Sequence, residues 1–406
     1  MKKFCLITSV FAPYNKGGAE TVVNNIVAGF KKDNQDIFVI TSGEFQGLKS
    51  FWPRKYLENG LTIYRFYPLN IFSYLNINNY GKKHFWRLIW HGFDMFNLHS
   101  YFMIKRILKQ EKPEVVMTHM LKGIGYLTCR AVKSLRIKNI HTLHEVQLAT
   151  PSGLILKGEE NSWQHNFFLT KLYQLFNRWL FKSPDIIISS SKFLLDFYNQ
   201  RNFFPHSKKI ILTNPVNIKI QDDKNIKAKD YNNFNFLFLG QIEKYKGVLL
   251  LINVFKKMLK ETSGLEKRKL IIVGVGSALR EAQQLAGNNS QIEFMGYVPN
   301  QELGQIFALA DATVVPSLCY ENSPTVIFES LSYGVPVLAA RIGGIEFIKD
   351  DYNGFTFEAG DEADLLRVLK FALQNKNRLI EFFDQARESV KEIGVESYIK
   401  KLEELI

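Results

Sequence analysis

Short, unbroken apolar runs alternate with stretches of helical periodicity from one end of this chain to the other. In the first half the runs are KFCLITS, DIFVITS, LTIYRF, EVVMTH, KNIHTLH, DIIISS and KIILTN; in the second they are FNFLFLG, KLIIVG, IEFMG, ATVVPS, VPVLAA and GFTF. Strands that are apolar throughout are buried on both faces, and helices between them supply the crossovers of parallel sheets. Two such sets predict an α/β chain of two Rossmann-like domains. Between the sets, NPVNIKIQDDKNIKAKDYNNFN is polar and has no apolar period, so it reads as a linker. The expected domains are 1–215 and 216–386. The first run, within MKKFCLITSVFA, is too brief for a secretory leader and reads as a buried strand, with cytosolic residence expected.

Two segments carry a different pattern. Residues 82–110 predict one long amphipathic helix, with Phe85, Trp86, Ile89, Trp90, Phe93, Phe96, Met103, Ile104, Ile107 and Leu108 on one side. Lys83, Arg87, Asp94, Lys105 and Lys109 fall on the other. Residues 167–182 (FFLTKLYQLFNRWLFK) again mix aromatic and basic residues. Both apolar faces fit either packing on the domain's own sheet or an anionic membrane surface. Charge bears on that choice. The 406 residues carry a net +13, of which residues 1–215 contribute +16 and the remainder −3. A basic half beside a near-neutral half suggests different partners: anionic membrane, nucleic acid or an anionic substrate for the first. No nucleic-acid-binding motif accompanies the charge. No run of 18 apolar residues predicts a spanning helix. Three widely spaced cysteines without a CxxC motif fit a reducing compartment and give neither a disulfide framework nor a zinc site.

Candidate chemistry concentrates in VPSLCYENSPTVIFESLSYGVPVLAARIGG, where Glu321 and Glu329 lie eight residues apart. Ser323 followed by Pro324 predicts a helix start, leaving the amides of Thr325 and Val326 pointing from an electropositive helix end that suits a phosphate. Gly334 fits the helix C-terminus, with Pro336 blocking continuation. Alone, this pattern is equally an ordinary solvated helix start. Three other loops follow strands. Gly17 and Gly18, in GGAE, either admit a ligand to the backbone or make a tight turn. Lys246, in GQIEKYKG (Gly240 to Gly247), either reaches a phosphate or is a solvated lysine. VGVGSAL fails the dinucleotide fingerprint, since Leu279 stands at its third position, but Gly274 and Gly276 allow close backbone approach. His119 ends a strand, where open parallel sheets place their ligands. His141 and His144 are expected on opposite strand faces, which argues against a metal pair. No Asp-x-Asp metal clamp occurs.

Taken together, FAPYNKGGAETVVNNIV, EVVMTH, HTLHE, DIIISSS, ILTNPVN, GQIEKYKG, KLIIVGVG, IEFMGYV and the Glu-x7-Glu block resemble, in order and spacing, the retaining glycosyltransferases of family 4. The resemblance implies the GT-B fold: two Rossmann-like domains facing across a cleft, the first taking the acceptor and the second a nucleoside-diphosphate sugar. It further implies that a final helix, 387–406, crosses back to the first domain. In this chain Glu329 would hold the ribose hydroxyls and Glu321 would lie near the donor sugar. Lys246 and the amides of Thr325 and Val326 would hold the pyrophosphate. Gly18 would pack on the phosphate or sugar, His119 would contact the sugar, and Tyr297 and Val298 would border the base. Gly17, Gly240, Gln241, Gly276 and Pro324 complete the expected donor site. Two positions depart from the family: Gln241 replaces a frequent Arg, and Pro324 a frequent Gly. The implied activity is metal-independent sugar transfer with retention, to a lipid-linked or membrane-associated glycan on the cytoplasmic face. A sugar-nucleotide epimerase on the same scaffold and a non-catalytic nucleotide-binding protein are the rival readings.

Overall fold

Every apolar run named above forms a strand in the computed structural model, which describes residues 2–14, 17–75, 84–160, 167–217, 233–262 and 267–406. The strands make two sheets. The first has β1 (Lys3–Thr8), β2 (Asp36–Ser42), β3 (Arg54–Glu58), β4 (Leu61–Phe66), β5 (Val115–Thr118), β6 (Lys138–Leu143), β7 (Ile186–Ser189) and β8 (Lys208–Ile211), in the order β3-β4-β2-β1-β5-β6-β7-β8. The second has β9 (Asn233–Leu239), β10 (Lys267–Val273), β11 (Ile292–Gly296), β12 (Ala312–Val315), β13 (Val337–Arg341) and β14 (Gly354–Glu358), in the order β11-β10-β9-β12-β13-β14. Pairing is parallel except between β3 and β4. These are the paired Rossmann-like sheets of the GT-B fold. In each, strand order reverses beside the first strand: β1 lies between β2 and β5, and β9 between β10 and β12. Ligands of such sheets bind beyond the strand ends at that reversal.

Burial explains why these runs are strands. On β9, Phe234, Phe236 and Phe238 enter one core with Leu251, Phe255, Leu365 and Leu369, while Leu237 enters another with Leu303, Ile306 and Phe307 on the opposite face. A two-faced strand has no polar side to show, and each large side chain so buried contributes about 2–3 kcal/mol. Strand β3 was not anticipated. Its sequence RKYLE is mostly exposed, and it joins β4 through Asn59 (φ 48°) and Gly60 (φ 76°), an Asn-Gly hairpin turn.

By packing, the chain divides into two units. The first is Met1–Leu154, Asn161–Pro215 and Val395–Ile406; the second is Ile155–Glu160 and Val216–Gly394. The expected crossing segment 387–406 is therefore divided. The helix Lys376–Val390 stays with the second unit, and helix Val395–Glu403 lies against helix Gly18–Lys32 of the first, Ile399 being fully buried. Ile155–Glu160 joins the second unit although its chain neighbours belong to the first. The expected linker falls largely on 218–232, outside the described residues.

The predicted helix over 82–110 is two helices, His84–Met95 and Leu98–Glu111. Asn97 divides them, its side-chain oxygen accepting from the Ser100 amide at 2.9 Å as an N-cap. The break rotates the two faces apart. Trp90, Ile104, Ile107 and Leu108 are buried as expected, but Trp86, Phe93 and Phe96 are exposed. Asp94, expected on the polar face, is buried, and both its carboxylate oxygens accept from the Gly123 amide. Burial raises its carboxyl to about 7. Lys83 and the side chains of Phe85 and Arg87 lie outside the described residues.

Candidate functional site

In the second unit, the ends of β9 and β12 bring Lys246 and Glu321 together. The loop after β9 turns through Gly240 and a single turn at Lys244–Lys246 before helix Val248–Glu261. Gly247, at φ 75°, is the junction; a Cβ there would stand 1.8 Å from the Pro316 carbonyl oxygen, so only glycine lets the loop lie against the end of β12. Lys246 Nζ lies 2.6 Å from Glu321 Oε1, and Ser317 Oγ donates to the same oxygen at 2.7 Å. Burial works against the ammonium, but Glu321 outweighs it and holds Lys246 above its ordinary range. The buried Cys319 thiol beside them is pushed up to about 12, by burial first and Glu321 second, so it stays neutral. Glu321 is also fixed by its backbone: its carbonyl accepts from the Gly344 amide at 2.7 Å, and a Cβ on Gly343 would come 2.2 Å from that oxygen.

A further clamp comes from the segment Ile155–Glu160. Tyr320 N donates to Ile155 O and Lys157 N to Leu318 O, both at 2.9 Å, an antiparallel bridge around Cys319. The Tyr320 hydroxyl donates to Glu160 Oε1 at 2.7 Å, and Lys157 bonds to Glu358 and the Ala359 carbonyl. The loop leading into Glu321 is thus held on one edge by this strap and on the other by Gly343 and Gly344. The Ile155-Leu156 pair between Gly153 and Gly158 is the sequence signal that could have revealed it.

The helix start differs in detail from expectation. Helix Thr325–Ser332 begins at Thr325, with Pro324 rather than Ser323 in the capping position and no side-chain cap. Pro324 has no N–H, and its carbonyl accepts from Ile327 N at 3.1 Å. The uncapped donors of the helix end are therefore Thr325 N and Val326 N. Glu329 lies one turn further along; its carbonyl accepts from Ser332 Oγ at 2.7 Å, while its carboxylate has no hydrogen-bond partner among the described residues. Burial alone raises its carboxyl to about 7. The helix closes as predicted: Gly334 adopts φ 74°, its amide reaching Leu331 O and that of Val335 reaching Ser330 O.

The other second-unit positions surround this arrangement unequally. Gln241 accepts from the Tyr245 hydroxyl at 3.1 Å. Gly276 is required by its own neighbours: a Cβ would stand 2.3 Å from Ile242 O, and the Ala278 amide donates to that same oxygen. Its close approach is to a second loop of the chain. Tyr297 is mostly exposed, and Val298 packs against the buried cluster that contains Leu237, Leu303, Ile306 and Phe307.

In the first unit, Gly17 precedes helix Gly18–Lys32, which also has no side-chain cap. His119 follows β5 at the reversal point, and its amide donates to Ile7 O. Its Nδ1 lies 3.0 Å from His144 Nε2, while His141 Nδ1 lies 3.0 Å from Thr118 Oγ1. Sequence spacing separated His141 from His144 but did not show that His144 meets His119, because the pairing joins the ends of β5 and β6. His119 Nε2 is buried and unpartnered among the described residues, beside a cavity of about 30 Å³ that Lys122, His144 and Gln147 also line. Burial, then the neighbouring rings, depresses His119 well below its ordinary value; burial takes His144 to about 4, and burial with His144 takes His141 to about 3. All three are neutral near pH 7, so His119 offers a hydrogen bond, not a charge. Among the described residues no group of three His, Cys, Asp or Glu side chains is placed to hold a metal.

Known proteins share this fold. The chain is 24% identical over 342 residues to an uncharacterized 42.6 kDa protein in the cps region of Klebsiella pneumoniae, covering 84% of this chain and 85% of that one. The sucrose-phosphate synthase of Thermosynechococcus elongatus has the same fold, with a TM-score of 0.75 at 14% identity over 100% of this chain and 98% of the other. So does Anabaena HepE, solved with UDP and glucose, with a TM-score of 0.71 at 16% identity over 100% and 99% of the two chains. The family described as Glycosyl transferases group 1 matches residues 219–389, and Glycosyltransferase Family 4 matches residues 16–219. The chain belongs to glycosyltransferase family 4 and is a glycosyltransferase.

Proposed function

We propose that this enzyme transfers a sugar from a nucleoside-diphosphate sugar to an acceptor hydroxyl with retention at the anomeric carbon. One observation carries the reading: an ammonium held above its ordinary pKa by Glu321 beside an uncapped helix end, with the desolvated carboxyl of Glu329 one turn on. Lys246 and the amides of Thr325 and Val326 take the charge that develops on the departing diphosphate, without needing a metal. Glu329 accepts from ribose hydroxyls, which supply the hydrogen bonds that the folded chain does not. Glu321 holds Lys246 in place and borders the sugar; neither acid is a nucleophile. The acceptor oxygen bonds to the anomeric carbon from the face the phosphate leaves, the carbon–phosphate oxygen bond breaks, and the acceptor proton passes to the departing phosphate. Neutral His119 hydrogen-bonds the sugar. HepE, bound to UDP and glucose, supports a nucleotide-sugar donor. The acceptor is a lipid-linked or membrane-associated glycan, a reading supported by the basic first half of the chain.

The test is Lys246→Ala. Loss of one preorganised charge-stabilising group lowers kcat by about 10²–10³. Turnover is measured by release of nucleoside diphosphate from the sugar donor in the presence of acceptor, after a thermal-shift screen of UDP, GDP and ADP identifies the nucleotide. Unchanged turnover would remove Lys246 from the mechanism.

A further inference from the structure

Helix Phe168–Phe181 is folded inside out. Its inner face is polar up to Asn177, and only Leu180 and Phe181, at its end, bury apolar side chains: Tyr173 donates to Gln147 O at 2.8 Å, Gln174 to Ala149 O at 3.0 Å and Asn177 to Leu148 O at 2.8 Å. Its outer face carries Phe168, Leu169, Leu172, Leu175, Phe176 and Trp179, between 39 and 64% exposed. Amphipathic helices of a soluble domain bury the opposite side. Here three carbonyls of one loop hold the polar side down. The outer face does not end at this helix. Phe176 meets Phe96 edge-on at 5.6 Å, and Phe96 and Phe93, on the neighbouring segment, are themselves exposed. An exposed aromatic and aliphatic surface joining two segments marks an interaction site.

Charge identifies what covers it. From residue 161 to 184 the chain has no Asp or Glu, but it has Lys171, Arg178 and Lys182. The single acid of helix His84–Met95, Asp94, is buried. Arg130 stacks 3.6 Å from the Trp179 ring, adding a cation at the edge of the apolar face. A second copy of this chain would bring another half of net charge +16 against the first, which opposes a self-complementary interface. Nor does the helix span a bilayer: 14 residues reach about 21 Å, and the patch lies along it, not around it. We infer that this face docks on the surface of an anionic bilayer. Phe168, Leu172, Leu175 and Phe176 enter the boundary of headgroups and acyl chains, and the basic side chains reach the lipid phosphates. The inference rests on the proposed membrane-associated acceptor only for its purpose, since docking requires neither donor nor acceptor.

The test is flotation of the full chain with vesicles of phosphatidylcholine alone or mixed with phosphatidylglycerol, without nucleotide or acceptor. The chain floats with the anionic vesicles, floats poorly with the neutral ones, and is weakened by salt. The exposed-site variant Leu172→Ser/Leu175→Ser/Phe176→Ser lowers the floated fraction about tenfold or more, with Tm and the thermal shift on nucleoside diphosphate unchanged. Equal flotation of the variant and the wild type would overturn the inference. So would an absence of flotation together with a dimer in sedimentation velocity that the variant converts to monomer, which would assign the face to a second copy. Because nucleotide binding is read separately, failure here leaves the transfer reading standing, and failure of Lys246→Ala leaves this one.

Discussion

The two units share an architecture and differ in almost everything their surfaces present. Of 24 large apolar side chains left exposed among the described residues, 20 belong to the first unit and four to the second. The first half of the chain carries +16 and the second −3. Both sheets reverse strand order beside their first strand, yet one reversal point holds neutral histidines and the other an ion pair beside a bare helix end. The lesson is that a parallel sheet fixes where a site lies and leaves its chemistry to loops. The loops of the second unit set an ammonium near two uncapped amides, and the first unit leaves apolar helix faces exposed.

The contrast is sharpest in acid. Each buried histidine of the first unit has a folded-state pKa below its unfolded value of 6.5. The unfolded chain therefore binds more protons, and stability present above pH 6.5 is lost as pH falls toward 4 or 3. For one such ring the loss at pH 4 is roughly 3 kcal/mol. Glu329 has the opposite sign: its folded value, about 7, exceeds the unfolded 4.5, so its contribution is complete below pH 4.5 and lost as pH rises through 7. The buried Asp94 of the first unit, also raised to about 7, has the same sign and offsets part of the loss from the three rings. Hydrogen exchange at pH 7.5 and 5, corrected for intrinsic rates, is expected to show protection falling at β5 and β6 well before β9 and β12. Equal loss in both sheets would break the comparison.

Glu329 also sharpens it from the second unit. Hydroxyl donors favour its ionised form, so whichever of UDP, GDP or ADP binds is held more tightly at pH 8 than at pH 6. In Glu329→Gln the affinity drops by about tenfold, and the part of the pH slope due to this carboxyl disappears. Calorimetric titration of both proteins at both pH values checks this, with the variant correcting for ionisation of the nucleotide itself. The smallest expected effect is Tyr320→Phe. It removes the bond to Glu160 from the strap and costs about 1 kcal/mol. If the strap positions the loop into Glu321, kcat falls by a few-fold while Tm barely moves; a lower Tm with unchanged kcat would make the contact merely structural.

Much of this was legible in the chain. Unbroken apolar runs announced thirteen strands, since a strand buried on both faces must be apolar on both. The Gly334 turn and the free amides at Thr325 and Val326 followed from local rules for proline and glycine. Ser323 shows their limit: a good capping residue does not cap when proline holds the extended backbone just before the helix. The antiparallel β3 was also readable, because the Asn59-Gly60 pair is a hairpin signal, but its exposed sequence hid it from a search for apolar runs.

What sequence could not give was anything that depends on which neighbour a side chain meets. Asp94 looked like a surface acid until the break at Asn97 turned it toward the Gly123 amide. His119 and His144, 25 residues apart, met because β5 and β6 are adjacent. The strap reached the loop before Glu321 from a segment that belongs, in chain order, to the other half. The face of helix Phe168–Phe181 could be computed from its periodicity, but not its direction. Local pattern fixes secondary structure and sidedness, because both are set within a few residues. Which side is inward is decided by the partners available, and here three backbone carbonyls outside the helix took its polar face.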